Sequence, residues 1–197
     1  MMVIGKSKAA LTMICDAIVS NQDSRALIIL NNLKIKEPFY YNNFFIKEAD
    51  VAQGSFYVLG AVMPETKKEL RNIFPLKYMT IANKTAFFSG NCEIGEGCLI
   101  DSHVSIAGGV TIEDYVTLYA NSVVSHDSHI GKFTTICPGV IICGGVHIGK
   151  ETFIGAGTVI KNGITIGNNV TIGCGSVVIK DIEDGKTVYG NPAKAMI

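Results

Sequence analysis

Aliphatic residues return at every sixth position along more than a third of the chain. The series is Ile94, Ile100, Ile106, Ile112, Leu118, Val124, Ile130, Ile136, Ile142, Ile148, Ile154, Ile160, Ile166, Ile172 and Val178. Two positions before each stands a small or β-branched residue, from Cys92 and Cys98 through Val104, Ser122, Thr134 and Thr158 to Ser176. A period of six is not the 3.6 of an amphipathic helix. Alternation inside the hexad reads as a short strand, with the aliphatic and the small residue pointing in and the residue between them pointing out. Gly, Asn or Asp recurs three residues after the aliphatic one, at Gly97, Gly109, Asn121, Asp127, Gly139, Gly145, Gly157, Gly163, Asn169, Gly175 and Asp181. These residue types accept left-handed backbone angles and so mark corners. Three strand-corner units close a triangular coil, coils stack at about 4.8 Å, and each coil finds its core only against its neighbours. Fifteen hexads give five coils. An antiparallel sandwich, with turns at irregular intervals of about 8–12 residues, would not keep this register.

The repeat fades before about residue 88. Strand signals at Met2–Ile4, at 26–30 and at 56–62 alternate with helical ones over 8–19, where Leu11, Ile14, Cys15 and Ile18 share a face, and over 65–74, opened by Pro64. Such alternation predicts a small parallel sheet of the βαβ, Rossmann-like kind. The expected organisation is a mainly β chain with an α/β domain over 1–82 and a parallel β-helix domain over 83–197. Ligands of such sheets sit at the carboxyl ends of the strands, here Gly5-Lys6-Ser7, Asn31-Asn32 and Gly60-Ala61.

Composition narrows the function classes. Seventeen basic residues balance seventeen acidic ones, so no global field draws the chain to nucleic acid or to an anionic membrane. No apolar stretch is long enough to span a bilayer, and the start reads as a short apolar strand rather than a signal peptide. Six cysteines occur without a C-x-x-C pair, which fits a reduced, cytoplasmic protein.

Four histidines are candidates for chemistry: His103, His126, His129 and His147. His126 falls two after Val124, outward and near a corner, and its neighbours one coil away are Gly108 and Gly144. Asp127 follows directly, and a carboxylate there can orient the ring and raise its basicity. An outward histidine with a carboxylate and glycine walls suits a general base; the alternative is a solvated surface pair. His129 and His147 are one coil apart and stack in a column with Thr111 and Thr165. Zinc would need further ligands at a spacing the chain does not carry, so no metal is expected.

The βαβ start, the unbroken hexads and the ending Tyr189-Gly190-Asn191-Pro192-Ala193-Lys194 together resemble the NeuD/PglD-type sugar O-/N-acyltransferases of bacteria. Val124-Ser125-His126-Asp127-Ser128-His129-Ile130-Gly131 resembles the catalytic segment of that family, and the likeness covers essentially the whole chain. The resemblance implies a left-handed parallel β-helix and a homotrimer with active sites between adjacent helices. It also implies acetyl-CoA as co-substrate and a nucleotide-linked amino sugar as acceptor, in surface glycan biosynthesis. His126 would be the base, Asp127 its support, and the Gly144 N–H would face the thioester oxygen. Coenzyme contacts would fall on Thr135, Gly144, Ala156 and Cys174, and nucleotide contacts on Gly5, Lys6, Ser7, Asn31 and Gly60. The chain departs from the family in its front loop, Gly5-Lys6-Ser7-Lys8-Ala9-Ala10, which lacks the usual later glycines and histidine. It departs again at Ala82-Asn83 and at Thr134-Thr135, where relatives often carry histidine. Alternatives are O-acetylation of a sugar or sialic acid by the same residues, or a scaffold without chemistry. Outward Val123, Ile141, Phe153, Val159 and Val177 are apolar positions that subunit contacts would cover.

Overall fold

The computed structural model describes residues 2–4, 10, 12–14, 16, 28–30, 39–41, 44–46 and 57–196. From Ile81 onward the chain winds as a parallel β-solenoid whose two-residue strands line up in three sheets. The apolar face has six strands, from Phe87–Phe88 through Val123–Val124 and Ile141–Ile142 to Val177–Val178. The histidine face has five, from Glu93–Ile94 through His129–Ile130 and His147–Ile148 to Thr165–Ile166. The covered face starts at Ile81–Ala82, includes Thr117–Leu118, Thr135–Ile136 and Phe153–Ile154, and ends in Thr187–Tyr189 with Lys194–Ala195 antiparallel to it. Repeat strands pair in parallel with those one coil on: Ser105 with Val123, Thr111 with His129, Thr117 with Thr135.

Winding begins earlier than the sequence repeat suggests. Ile81–Ala82 and Phe87–Phe88 already pair with the coil that follows, and Thr187–Tyr189 closes the stack. The solenoid therefore makes about six turns rather than the five that the hexads alone give.

The two inward columns form one continuous core. The aliphatic column is sealed from Ile106 to Ile172, with Ile100 and Val178 nearly so, and Val104, Val110, Val140 and Val146 of the second column are equally enclosed. The second column also carries hydroxyls, and they bridge coils. Thr134 Oγ1 donates to Gly149 O at 3.0 Å and accepts from Thr152 N at 3.3 Å. Thr152 Oγ1 repeats the arrangement with Gly167 O at 3.0 Å and Val170 N at 3.2 Å. Thr134 and Thr152 are tolerated inside because each satisfies backbone groups that a corner leaves unpaired, whereas the buried Ser122 hydroxyl has no partner among the described residues.

Left-handed angles recur every six residues from Gly97 to Gly175. The sequence marks most of these corners but not His103, Tyr115, Phe133 and Glu151, all at positive φ. Bulky residues adopt that region at a cost, and three of them gain contacts to the preceding segment. Tyr115 stacks on Phe133 at 4.9 Å between ring centres and meets Tyr78 edge-on at 5.9 Å, while Glu151 takes the Lys68 ammonium at 2.8 Å. Asp181 is not a corner of this kind; its carboxylate instead accepts from Thr165 N at 2.8 Å, and the next left-handed residue is Gly185.

Before the solenoid, Met2–Ile4 lies between Ile28–Leu30 and Tyr57–Leu59, parallel to both. Phe39–Tyr41 and Phe44–Ile46 form an antiparallel pair that the sequence pattern did not mark. The helix Pro64–Ile73 starts on its proline as expected and lies against the covered face. Its Lys67 side chain enters the solenoid wall, and Thr135 Oγ1 donates to the Val62 carbonyl just ahead of it.

Candidate active site

The strand Val123–Val124 delivers His126 and Asp127 to the corner between the apolar and the histidine face. The backbone is held from both sides: Asp127 N donates to Gly108 O at 3.1 Å, and Gly145 N donates to His126 O at 2.9 Å. Asp127 is itself left-handed, with φ of 57°. Its carboxylate Oδ2 stands 2.9 Å from Nδ1 of the preceding ring. A carboxylate there fixes the Nδ1–H tautomer and leaves the Nε2 lone pair as the acceptor of a proton. Both side chains are about three-quarters exposed, at 70% and 74%, so water screens the pair and its value lies in orientation rather than stability.

The imidazole leans over Gly144 on the next coil. A Cβ at Gly144 would collide with His126 Nε2 and, at 2.5 Å, with Cε1. Glycine is required there for space beneath the ring. On the other side Gly108 lies one coil before the pair, its carbonyl held by Asp127 N, and a Cβ there would meet Asn91 Oδ1 and Ser89 Oγ. The Gly144 N–H has no acceptor among the described residues. On another corner column, Glu96 N, Lys132 N, Lys150 N and Asn168 N each donate to a side chain. Gly144 thus offers a free donor next to the ring.

The other candidates fall elsewhere. Ala156 and Cys174 share a different corner column, Ala156 half-buried and Cys174 exposed, tied through Gly175 N to Ala156 O at 2.8 Å. One chain therefore does not bring this column to His126. Thr135 lies on the covered face, fully buried, with its hydroxyl held by the Val62 carbonyl, so it offers no side-chain atom to a surface groove. Gly60 is buried at the end of Tyr57–Leu59. Gly5, Lys6, Ser7 and Asn31 lie outside the described residues. Of the apolar outward residues, Val123, Ile141, Val159 and Val177 line one face, whereas Phe153 sits on the covered face. Cys92, Cys98, Cys137, Cys143 and Cys174 are all free thiols.

His129 and His147 stack face to face, 4.5 Å apart and within 8° of parallel. His129 Nε2 is 3.1 Å from Glu113 Oε1, and Glu113 also accepts from Lys132 N at 3.0 Å. Glu113 escaped the sequence reading, although its place two residues after Thr111, the residue one coil before His129, is the signal that finds it. Among the described residues no group of three or more His, Cys, Asp or Glu side chains is arranged to hold a metal ion. Burial, reinforced by the neighbouring His129, pushes the His147 imidazole below its ordinary value. A histidine depressed in the fold is protonated first in the unfolded chain as pH falls, so its contribution to stability is lost on acidification below about 6.5. His147→Gln should therefore lose less melting temperature than the wild type between pH 7 and pH 5. Equal losses in the two proteins would contradict this.

Residues 91–126, 127–162 and 145–180 match the family model described as bacterial transferase hexapeptide (six repeats). No curated protein matches the sequence. The fold is shared by solved structures along nearly the whole chain. The acetyltransferase domain of PglB from Neisseria gonorrhoeae FA1090, in complex with acetyl coenzyme A, is 23% identical with a TM-score of 0.91, covering 99% of this chain and 98% of that one. A mutant perosamine N-acetyltransferase from Caulobacter crescentus, in complex with CoA and GDP-perosamine, is 21% identical with a TM-score of 0.89, covering 99% and 95%. WeeI from Acinetobacter baumannii AYE is 23% identical with a TM-score of 0.86, covering 99% and 98%. No helix among the described residues is long and apolar enough to cross a membrane.

Proposed function

We propose that this chain is an acetyl-CoA-dependent N-acetyltransferase acting on an amino group of a nucleotide-linked sugar in bacterial surface glycan biosynthesis. The observation that carries the reading is the His126–Asp127 pair, oriented so that Nε2 lies over Gly144 and its unpaired N–H. The sugar amine attacks the thioester carbonyl, and a C–N bond forms as the C–S bond breaks. His126 Nε2 takes the proton from the amine and returns it to the departing coenzyme thiolate. Asp127 holds the ring and stabilises its charged form, and the Gly144 N–H faces the oxyanion. No covalent enzyme intermediate is required, so the cysteines need not be nucleophiles; Cys174 and Ala156 form a wall for the coenzyme.

The working unit in this reading is a homotrimer of left-handed β-helices, each preceded by an α/β domain over about 1–82. Its support is the split of the candidate residues over two corners: His126 and Gly144 lie on one column, Ala156 and Cys174 on another. A neighbouring copy would bring the second column of one chain to the first column of the next, and the apolar face supplies the surface for that contact. The acceptor nucleotide would lie at the carboxyl ends of the front strands, at Gly5–Ser7, Asn31 and Gly60.

The direct test of the bond made is the stability of the acetylated product. An amide survives mild alkali and supports the reading. Release of acetate under the same treatment would replace it with O-acetylation. Absence of coenzyme binding would favour a scaffold.

A further inference from the structure

Lys67 is the one lysine among the described residues that is fully buried. It sits on the helix Pro64–Ile73, where its neighbour Lys68 is exposed and pairs with Glu151. Its amine enters the solenoid wall and reaches three oxygens: Tyr115 O at 3.1 Å, Thr134 O at 3.0 Å and Thr117 Oγ1 at 3.2 Å. These belong to two successive coils of the covered face and the corner beside it. No carboxylate among the described residues bonds the amine, and burial pushes it down to about 7, with the Cys98 and Cys137 thiols acting the other way. An unpaired buried cation is costly and a long side chain loses rotamer freedom there. An ordinary surface lysine at this point of the helix would avoid both costs, so the contact has a use other than stability.

That use is visible in what the helix carries. Five residues before Lys67, the Val62 carbonyl accepts from Thr135 Oγ1, and the strand Tyr57–Leu59 runs straight into this segment. The Tyr57 carbonyl accepts from Met79 N at 2.8 Å on the other side. Gly60 to Val62, the carboxyl end of a strand in the parallel front sheet, is thereby pinned to the covered face, the far edge of which is the Ala156–Cys174 corner. Rotation or withdrawal of the helix would move that strand end relative to the solenoid.

We infer that Lys67 is a positioning residue: its amine, caged by Tyr115 O, Thr117 Oγ1 and Thr134 O, seats the strand end Gly60–Val62 on the solenoid and so sets the affinity for the acceptor without touching it. The inference rests on the proposed function for the word acceptor, but the seating itself does not. Lys67→Met keeps the aliphatic stem and removes the amine. Thr117→Val removes one of the three oxygens while keeping a β-branched residue in the wall, so it reports on the same cage in a chain whose solenoid is undisturbed.

Two readouts on the full-length protein decide it. Amide hydrogen exchange of the segment Tyr57–Val62, followed by mass spectrometry, should speed up by about tenfold in Lys67→Met and by less in Thr117→Val. The acceptor KM, measured with the amino sugar the wild type uses, should rise by about tenfold in Lys67→Met while kcat and the acetyl-CoA KM stay within about twofold. Loss of folded protein alone would lower kcat and leave both KM values in place, and that pattern would overturn the inference. So would unchanged exchange in both variants. A wild-type protein that acetylates no amino sugar would sink the functional reading, and the exchange comparison would still decide whether Lys67 seats the strand end.

Discussion

His126→Ala is expected to keep its fold and its coenzyme and to lose turnover by about a hundredfold to ten-thousandfold, the usual worth of a positioned general base. In free energy this is about 3 to 5 kcal/mol of transition-state stabilisation. The fold should survive because the ring is mostly solvent-exposed and touches the corner backbone rather than the core; surface substitutions of that kind shift stability by about 0.5 kcal/mol or less. The coenzyme should stay because its proposed wall, Ala156 and Cys174, is on another corner column. The loss should appear in kcat and in kcat/KM alike, the signature of an interaction made in the transition state. Melting curves, coenzyme titration and steady-state kinetics on the same preparation check the three parts together.

The second large effect concerns assembly. Ile141 is the outward residue at the middle of the apolar face, 42% exposed in the single chain, with Val123 and Val159 on the strands to either side. Ile141→Asp places a carboxylate where the proposed neighbour packs. Burying an unpaired charge costs several kcal/mol, enough to dissociate a trimer at ordinary concentrations, whereas in a lone chain the new side chain faces water. Sedimentation should show the mass falling from three copies to one with the solenoid's circular dichroism unchanged. Turnover should fall by about a hundredfold or more, because the two corners that form the proposed site are then apart. Single copies with full activity would contradict the shared site.

The solenoid was legible because its signal is a strict period. Fifteen aliphatic positions without a slip leave no other fold able to bury them, and the register places His126 and Asp127 outward at a corner before any coordinates are known. The less legible parts depend on contacts from outside the repeat. Tyr115 and Phe133 are poor residues for a left-handed corner, and their mutual stacking, the edge of Tyr78 and the Tyr115 hydroxyl's bond to Glu96 explain them there. Lys67 reads as one more solvated lysine on a polar helix, since nothing local announces three oxygens from coils 48 to 67 residues away. The resemblance assigns Thr135 to the coenzyme, yet the front segment lies on that face and takes its hydroxyl. The hexad register places glycines one coil to either side of the His126 corner, and the imidazole leans over the one at Gly144. The start of the winding at Ile81 was hidden because the first coil lacks the aliphatic column and closes on Ala82 and Phe88 instead.

The most direct test of the central claim, that His126 is the base of an acetyl transfer to an amino sugar, is thiol release from acetyl-CoA. It should be followed with a panel of UDP-, dTDP- and GDP-linked amino sugars, with His126→Ala alongside the wild type. Release that depends on one amino sugar and vanishes in the variant is the predicted result. Equal release by the two proteins would contradict it.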